Sequence, residues 1–321
     1  MKRIVIAFCI IAALSAFGAA QQRPRAADNA ALRYWMAFAQ MNDSPISTEG
    51  AARMDAIVNG KAPWDEQKFG ALVEQNKDAI ETMIRGTQMP YCDWGIEYDL
   101  GPDAPLAHLP KARALARLNR LYAERLASAG DYDAAIRVTI AGMRFAQHMA
   151  QNASFFGALT ARVGLIPQLE QAKELAANGH LSVAQLATLR AAVQALPEGG
   201  FSWQNAARTE GGAMRQAITT MSHAPDAKAI YRTWFGNPVP ADFHAPGEED
   251  IAELDRVMTF YTKLLGMPPD AATAQLPALQ KQIAALNAVT QMAIPRPARM
   301  TAARAEVINA QRETAEALGG K

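Results

Sequence analysis

The sequence predicts an all-α protein of irregularly stacked antiparallel helical hairpins, joined in two places by long aromatic loops. Three observations carry that reading. Apolar residues recur with helical spacing along most of the chain, and the breaks between these stretches are short and marked by capping residues. Neither strand-like alternation nor a strand–helix–strand order occurs. About two-thirds of the residues beyond position 20 read as helix, twice the share of an average globular protein.

The elements follow in order. Asp28 is expected to cap a first helix to Met41, closed by Asn42-Asp43-Ser44-Pro45. Ser47-Thr48-Glu49 opens a second, ended by Asn59-Gly60. A third starts at Asp65, carries Phe69, Leu72, Val73, Ile80, Met83 and Ile84 on one stripe, and stops at Gly86. Residues 87–105 then break the pattern. Leu109, Ala112, Leu118, Leu121 and Leu126 define a long helix that stops at Ser128-Ala129-Gly130. Asp131 caps its partner, which carries Ala135, Val138, Met143, Phe145 and Met149. So short a turn between two long amphipathic helices makes an antiparallel hairpin.

Ser154 opens the next helix, which reaches Leu175 and ends at Asn178-Gly179. Pro167 should kink it, because the ring removes one intrahelical hydrogen bond. Ser182 and Gln185 read as a capping box for a helix to Leu196, stopped by Pro197-Glu198-Gly199-Gly200. Ser202 caps another to about Met221. Residues 222–247 hold Pro225, Pro238, Pro240 and Pro246, which leaves room only for a short helix over 227–234. Glu248-Glu249-Asp250 place negative charge on the first turn of a helix bearing Ile251, Leu254, Val257, Met258, Tyr261 and Leu265. Gly266, Pro268 and Pro269 stop it, and two more helices, 271–292 and 298–318, are expected to finish the chain.

The hairpin at 115–149 resembles a tetratricopeptide unit. It has small Ala123, then Leu126, the turn Gly130-Asp131-Tyr132, Ala135, and Gly142 where the helices must approach closely. It lacks the unit's Trp and closing Pro. One period away lie the Pro167 helix and the aromatic loop, not further copies, so the expected α-solenoid arises from packing and not from a strict repeat. Asn29-Ala30-Ala31 with Tyr34 and Phe38, then Cys92-x-Trp94, then helical hairpins is also similar to sets of exported all-α bacterial proteins of unassigned function. That resemblance implies helices and export, and no chemistry.

Composition narrows the function. The chain has 321 residues with 32 basic and 31 acidic side chains, so it lacks the basic excess that nucleic-acid binding needs. Met1-Lys2-Arg3 is basic, residues 4–17 are apolar but for Ser15, and Gly18-Ala19-Ala20 are small. These features read as a signal peptide, residues 1–20, cleaved after Ala20, with 21–321 as a single helical domain in the periplasm or outside the cell. An uncleaved anchor is the alternative, although the apolar run is short for a span. No membrane span is expected beyond it. Cys9 lies in that run, which leaves Cys92 as the one later thiol and precludes an internal disulfide.

Chemistry is sought first in residues 90–103, which combine Cys92, three aromatics and four carboxylates in one non-helical stretch. Asp93, Glu97, Asp99 and Asp103 lack the alternation and closing Glu of a calcium loop. The adjacent Asp93 opposes a nucleophilic Cys92. Tyr91, Trp94, Ile96 and Leu100 are expected to tuck onto the helices as a flap; the alternative is a ligand-facing loop. The second aromatic stretch holds His223, Tyr231, Trp234, Phe235, Phe243 and His244. If both lie on one edge of the array they form an aromatic groove, with Tyr91, Trp94, Tyr98, Trp234 and Phe235 as candidate binding residues.

The remaining candidates are sparse. His108, His148, His180, His223 and His244 show no metal-ligand spacing, and neither metal nor cofactor is expected. His108 and His180 are expected at the surface. Gly211-Gly212 suggests a close helix crossing, with Glu210 against Arg162 or Arg208, or acting as a catalytic carboxylate that lacks a second acid. Arg296-Pro297-Ala298-Arg299 and Arg304 read as a solvated basic face. No nucleophile-elbow, Walker or dinucleotide glycine motif occurs. The expected function is therefore that of an exported, non-enzymatic helical scaffold or binding protein with a protein or peptide partner. The alternative is a cell-envelope hydrolase working through Glu97, Asp99 or Glu210.

Overall fold

In the computed structural model, which describes residues 28–42, 47–236, 238–241 and 243–319, the regular structure is helical. Among the described residues there are fourteen α-helices, the 3-10 segment Tyr98–Asp103 and no strand. The all-α expectation is met. The expected signal peptide, residues 1–20, lies outside the described residues, and no described helix is long and apolar enough to cross a membrane.

Local capping explains most helix starts. Asn29, not Asp28, caps α1 (Ala30–Gln40), its side chain accepting the Ala31 N–H at 3.1 Å. Ser47 caps α2 (Thr48–Val58) and Asp65 caps α3 (Glu66–Gln75). The single helix expected from Asp65 to Gly86 is two, because Asn76 ends α3 and α4 (Lys77–Gly86) begins after it. The fully buried Asn76 donates to the Leu72 carbonyl at 2.9 Å and accepts the Asn42 N–H at 2.8 Å, bonds that compete with a continuous helix.

The expected hairpin is α5 (His108–Ser128) and α6 (Tyr132–Ala150), with Gly130 at φ +81° in the turn and Asp131 capping α6. α7 (Phe155–Ala177) runs through the buried Pro167 without a break in the helix. At the crossing of these three helices, a Cβ on Gly142 would lie 2.5 Å from the Asn119 amide nitrogen. Buried Asn119 donates to the Val138 carbonyl at 3.1 Å and to Gln168 Oε1 at 3.3 Å, which ties α5 to α6 and α7.

The rest follows as α8 (Val183–Gln194, with the complete Ser182/Gln185 capping box), α9 (Trp203–Ser222), α10 (Ala227–Phe235) and α11 (Glu248–Leu264). The helix expected over 271–292 is α12 (Pro269–Ala284) and α13 (Ala288–Ala293), because the Asn287 side chain caps Val289 and restarts the chain. α14 (Pro297–Ala317) is the last.

Helices α5, α6 and α7 pack on one another at the centre, and α1 and α4 pack as a pair reached through α6. On the far side α14 packs back onto α7, while α9 holds α11 and the 3-10 segment. One apolar core runs through all of these, from Tyr34 in α1 to Leu318 beyond α14. Arg304, expected in a solvated face, is buried instead. It donates to the Met267 carbonyl at 2.6 Å and to Glu198 at 3.3 Å, which compensates its lost hydration.

Candidate functional site

The two aromatic loops do different things along their lengths. Residues 91–94 are the flap. Asn29 donates to the Asp93 carbonyl at 2.7 Å and accepts its N–H at 2.9 Å, and the Ala30 N–H donates to the Tyr91 carbonyl. Trp94 is only 7% exposed, and its Nε1 donates to the His148 carbonyl at 3.2 Å. Cys92 is fully buried; burial and then Asp93 push its thiol pKa well up, which opposes a nucleophilic role. Asp93, Glu97 and Asp99 stay exposed.

Two expectations about this segment are corrected. Leu100 is 46% exposed instead of tucked in, because Gly101, at φ +61°, turns the 3-10 segment against Ala217 of α9. His108 is buried instead of exposed, stacked on Trp94 at a centroid distance of 4.7 Å. Loss of solvent lowers the pKa of His108 from the usual 6.5 to about 4. Burial, followed by the charge of Arg144, does the same to His148, whose Nδ1 bonds the Tyr34 hydroxyl at 2.5 Å.

Farther along, the two loops meet. Trp234 of α10 donates from Nε1 to Asp103 Oδ2 at 2.9 Å, bridging the second loop to the first. Tyr98, Trp234 and Phe235, with Met214 and Ile218 of α9, enclose an apolar cleft of ≈ 310 Å³. Buried Tyr231 supports this wall from behind, in ring contact with Phe235 and bonded to the Met292 sulfur at 3.2 Å. Three of the five candidate residues are thus brought together. Tyr91 and Trp94 line no part of the cleft.

The cleft carries its polar groups at the start of α7. The Ser154 N–H donates to the Tyr98 hydroxyl oxygen at 3.1 Å, and the Phe155 N–H donates to Glu210 Oε2 at 3.0 Å. The Ser154 side chain makes no capping bond, so Glu210 of α9 supplies the negative cap from across the cleft. Burial raises the Glu210 pKa, opposed by the bond from the Phe155 N–H. Glu210 is not the partner of Arg162, which pairs with Glu306, nor of Arg208, which bonds Asn205.

Glu210, Phe156, Met292 and Ala293 also line a second cleft of ≈ 590 Å³, together with Arg296 and Arg299. Phe156 and Met292 are 62% and 52% exposed between the two lobes. The sequence signal for this junction was faint: adjacent Phe155 and Phe156 cannot share one face of a helix, so one of them must look outward. Phe155 is the buried one.

Chemically, the aromatic lobe offers, among the described residues, one carboxylate, one phenol and the Ser154 hydroxyl within largely apolar walls. Among the described residues no group of three or more His, Cys, Asp or Glu could hold a metal ion. Comparison with family models, curated proteins and solved structures finds no match to this chain.

Proposed function

We propose that the protein is an exported, non-catalytic helical binding protein that seats an apolar group of its ligand in the cleft between Tyr98 and Trp234. The observation that carries this reading is the convergence of the two aromatic loops on one recess, joined by the Trp234–Asp103 bond. A recess of ≈ 310 Å³ with few polar groups has the dimensions of a small-ligand site. Its size favours a compact apolar body over the broad protein face expected of a helical array. Export rests on the basic and apolar N-terminal sequence alone.

The hydrolase alternative receives less support. Glu97 and Asp99 are exposed and line neither lobe, and among the described residues no second carboxylate lines either lobe beside Glu210. A lone acid committed to a helix N-terminus lacks the partner that general acid–base hydrolysis requires.

The test is titration with N-phenyl-1-naphthylamine, a neutral apolar dye that fluoresces when it leaves water. Wild-type protein should bind it saturably, and Ala213→Phe, which fills the cleft, should abolish binding with the melting temperature retained. Trp234→Ala should weaken it. Absence of saturable binding, or binding indifferent to both variants, refutes the proposal.

A further inference from the structure

Resting on that reading, we infer that the ligand is a small monomeric amphiphile with one acidic end group. Its apolar body fills the aromatic lobe, and its carboxylate or sulfonate meets Arg296 and Arg299 in the second lobe. Charge complementarity identifies the head. Arg296 and Arg299 make no ion pair and no side-chain hydrogen bond among the described residues, and the first turn of α14 holds no acidic residue to neutralise them. The other charged groups nearby are occupied. Glu306 and Glu313 of α14 pair with Arg162 and Lys173, and Arg304 is turned inward to Glu198. Two free guanidinium groups beside an apolar recess are what a single planar anion on an apolar body would match, by paired charge-assisted hydrogen bonds.

The described residues that line both lobes are Phe156, Met292, Ala293 and Glu210, so the route between them is mostly apolar. Phe156 and Met292, each more than half exposed, line both lobes, so an occupant spanning the two would cover them. Glu210, the one carboxylate among the described residues common to both, is engaged with the Phe155 N–H. A membrane surface is a poorer match than a monomer. The apolar area here is a recess flanked by two protruding side chains, whereas interfacial binding needs a continuous apolar face.

Two dyes that differ by a single sulfonate decide the matter on the full chain. 8-Anilinonaphthalene-1-sulfonate should bind more tightly than neutral N-phenyl-1-naphthylamine. Arg296→Gln/Arg299→Gln should weaken the sulfonate dye by about tenfold and leave the neutral dye unchanged. Arg137→Gln, an exposed arginine on α6, should change neither. Dodecanoate below its micellar concentration should displace the sulfonate dye, and dodecyltrimethylammonium should not. If the double variant binds the sulfonate dye like wild type, or if both detergents displace it equally, the acidic head is wrong while the apolar site stands. If neither dye binds, the apolar site itself is wrong and this inference falls with it.

Discussion

Trp94 is enclosed by Tyr34, Phe38 and His108 in stacked contact and by Trp35 edge-on, at centroid distances of 5.5, 6.0, 4.7 and 6.1 Å. Removing a buried Trp side chain typically costs about 3–5 kcal/mol, so Trp94→Ala should lower the melting temperature sharply. Asp99→Asn, at an exposed position of the same loop, should leave it unchanged. Equal melting of both variants would show that the flap contributes nothing to the fold. Cys92 beneath it should react slowly with a thiol reagent in the native state and rapidly once unfolded, since it is buried and held protonated. The two histidines of this cluster set a pH dependence. Both have folded pKa values near 4 against an ordinary 6.5, so between those limits the unfolded chain binds more protons. Stability is then complete above pH 6.5 and declines as the pH falls toward 4. Phenylalanine at position 108 keeps the ring on Trp94 and removes a proton site, so His108→Phe should flatten the melting temperature's fall across that window. A variant as steeply pH-dependent as wild type would place the titration elsewhere.

At the scale of helices, the glycine pair in α9 gives opposite expectations at adjacent positions. A Cβ on Gly211 would sit 3.2 Å from Met258 Cβ of α11, whereas one on Gly212 would meet nothing within 4 Å. Gly212→Ala should therefore raise stability by up to about 1 kcal/mol, the helix-propensity difference. Gly211→Ala should give back that gain in strain at the α9–α11 crossing. Gly142→Ala, with its Cβ 2.5 Å from Asn119 and Gln168, should be the most destabilising of the three. Melting curves of the three variants settle the order. Those crossings were readable in sequence because glycine inside a helix costs stability unless something needs the space. Caps were readable too, since Ser182 with Gln185 and Asp131 act within four residues of themselves. The breaks at Asn76 and Asn287 were not. Asn76 is fixed by the Asn42 backbone, 34 residues away, and no local pattern carries such a bond. The site divides in the same way. Tyr98, Trp234 and Phe235 stood out as aromatic residues in long loops, but their meeting depends on how α10 lies against the 3-10 segment. Glu210 stood out as an acid beside two glycines, and its real partner, the Phe155 N–H, is 55 residues distant. The same holds for Arg304, whose acceptors Met267 and Glu198 lie on two other segments.

For the whole molecule the question is whether the chain beyond the long 222–247 stretch is a second domain or part of one body. The contacts argue for one body. α14, the last helix, packs against α7 and α8, which precede residue 222, with Val307 and Met300 buried. Its Thr314 hydroxyl donates to the Leu169 carbonyl at 3.2 Å, and Arg190 of α8 donates to the Leu318 carbonyl at 2.8 Å. α11 leans on α9, burying Leu254, Met258 and Tyr261. A cut within 222–247 would leave each fragment with an apolar face that only the other fragment covers, and burial of such faces is the dominant stabilising contribution. Limited proteolysis should therefore nick the chain in that stretch while the two pieces stay together on native size exclusion. They should come apart only in denaturant, and in a single cooperative transition. Isolated fragments ending near 222 and beginning near 248, made separately, should lack a melting transition of their own. Two fragments that each fold and melt independently would establish two domains, and the return packing of α14 would then be an association between finished units, not part of a common core.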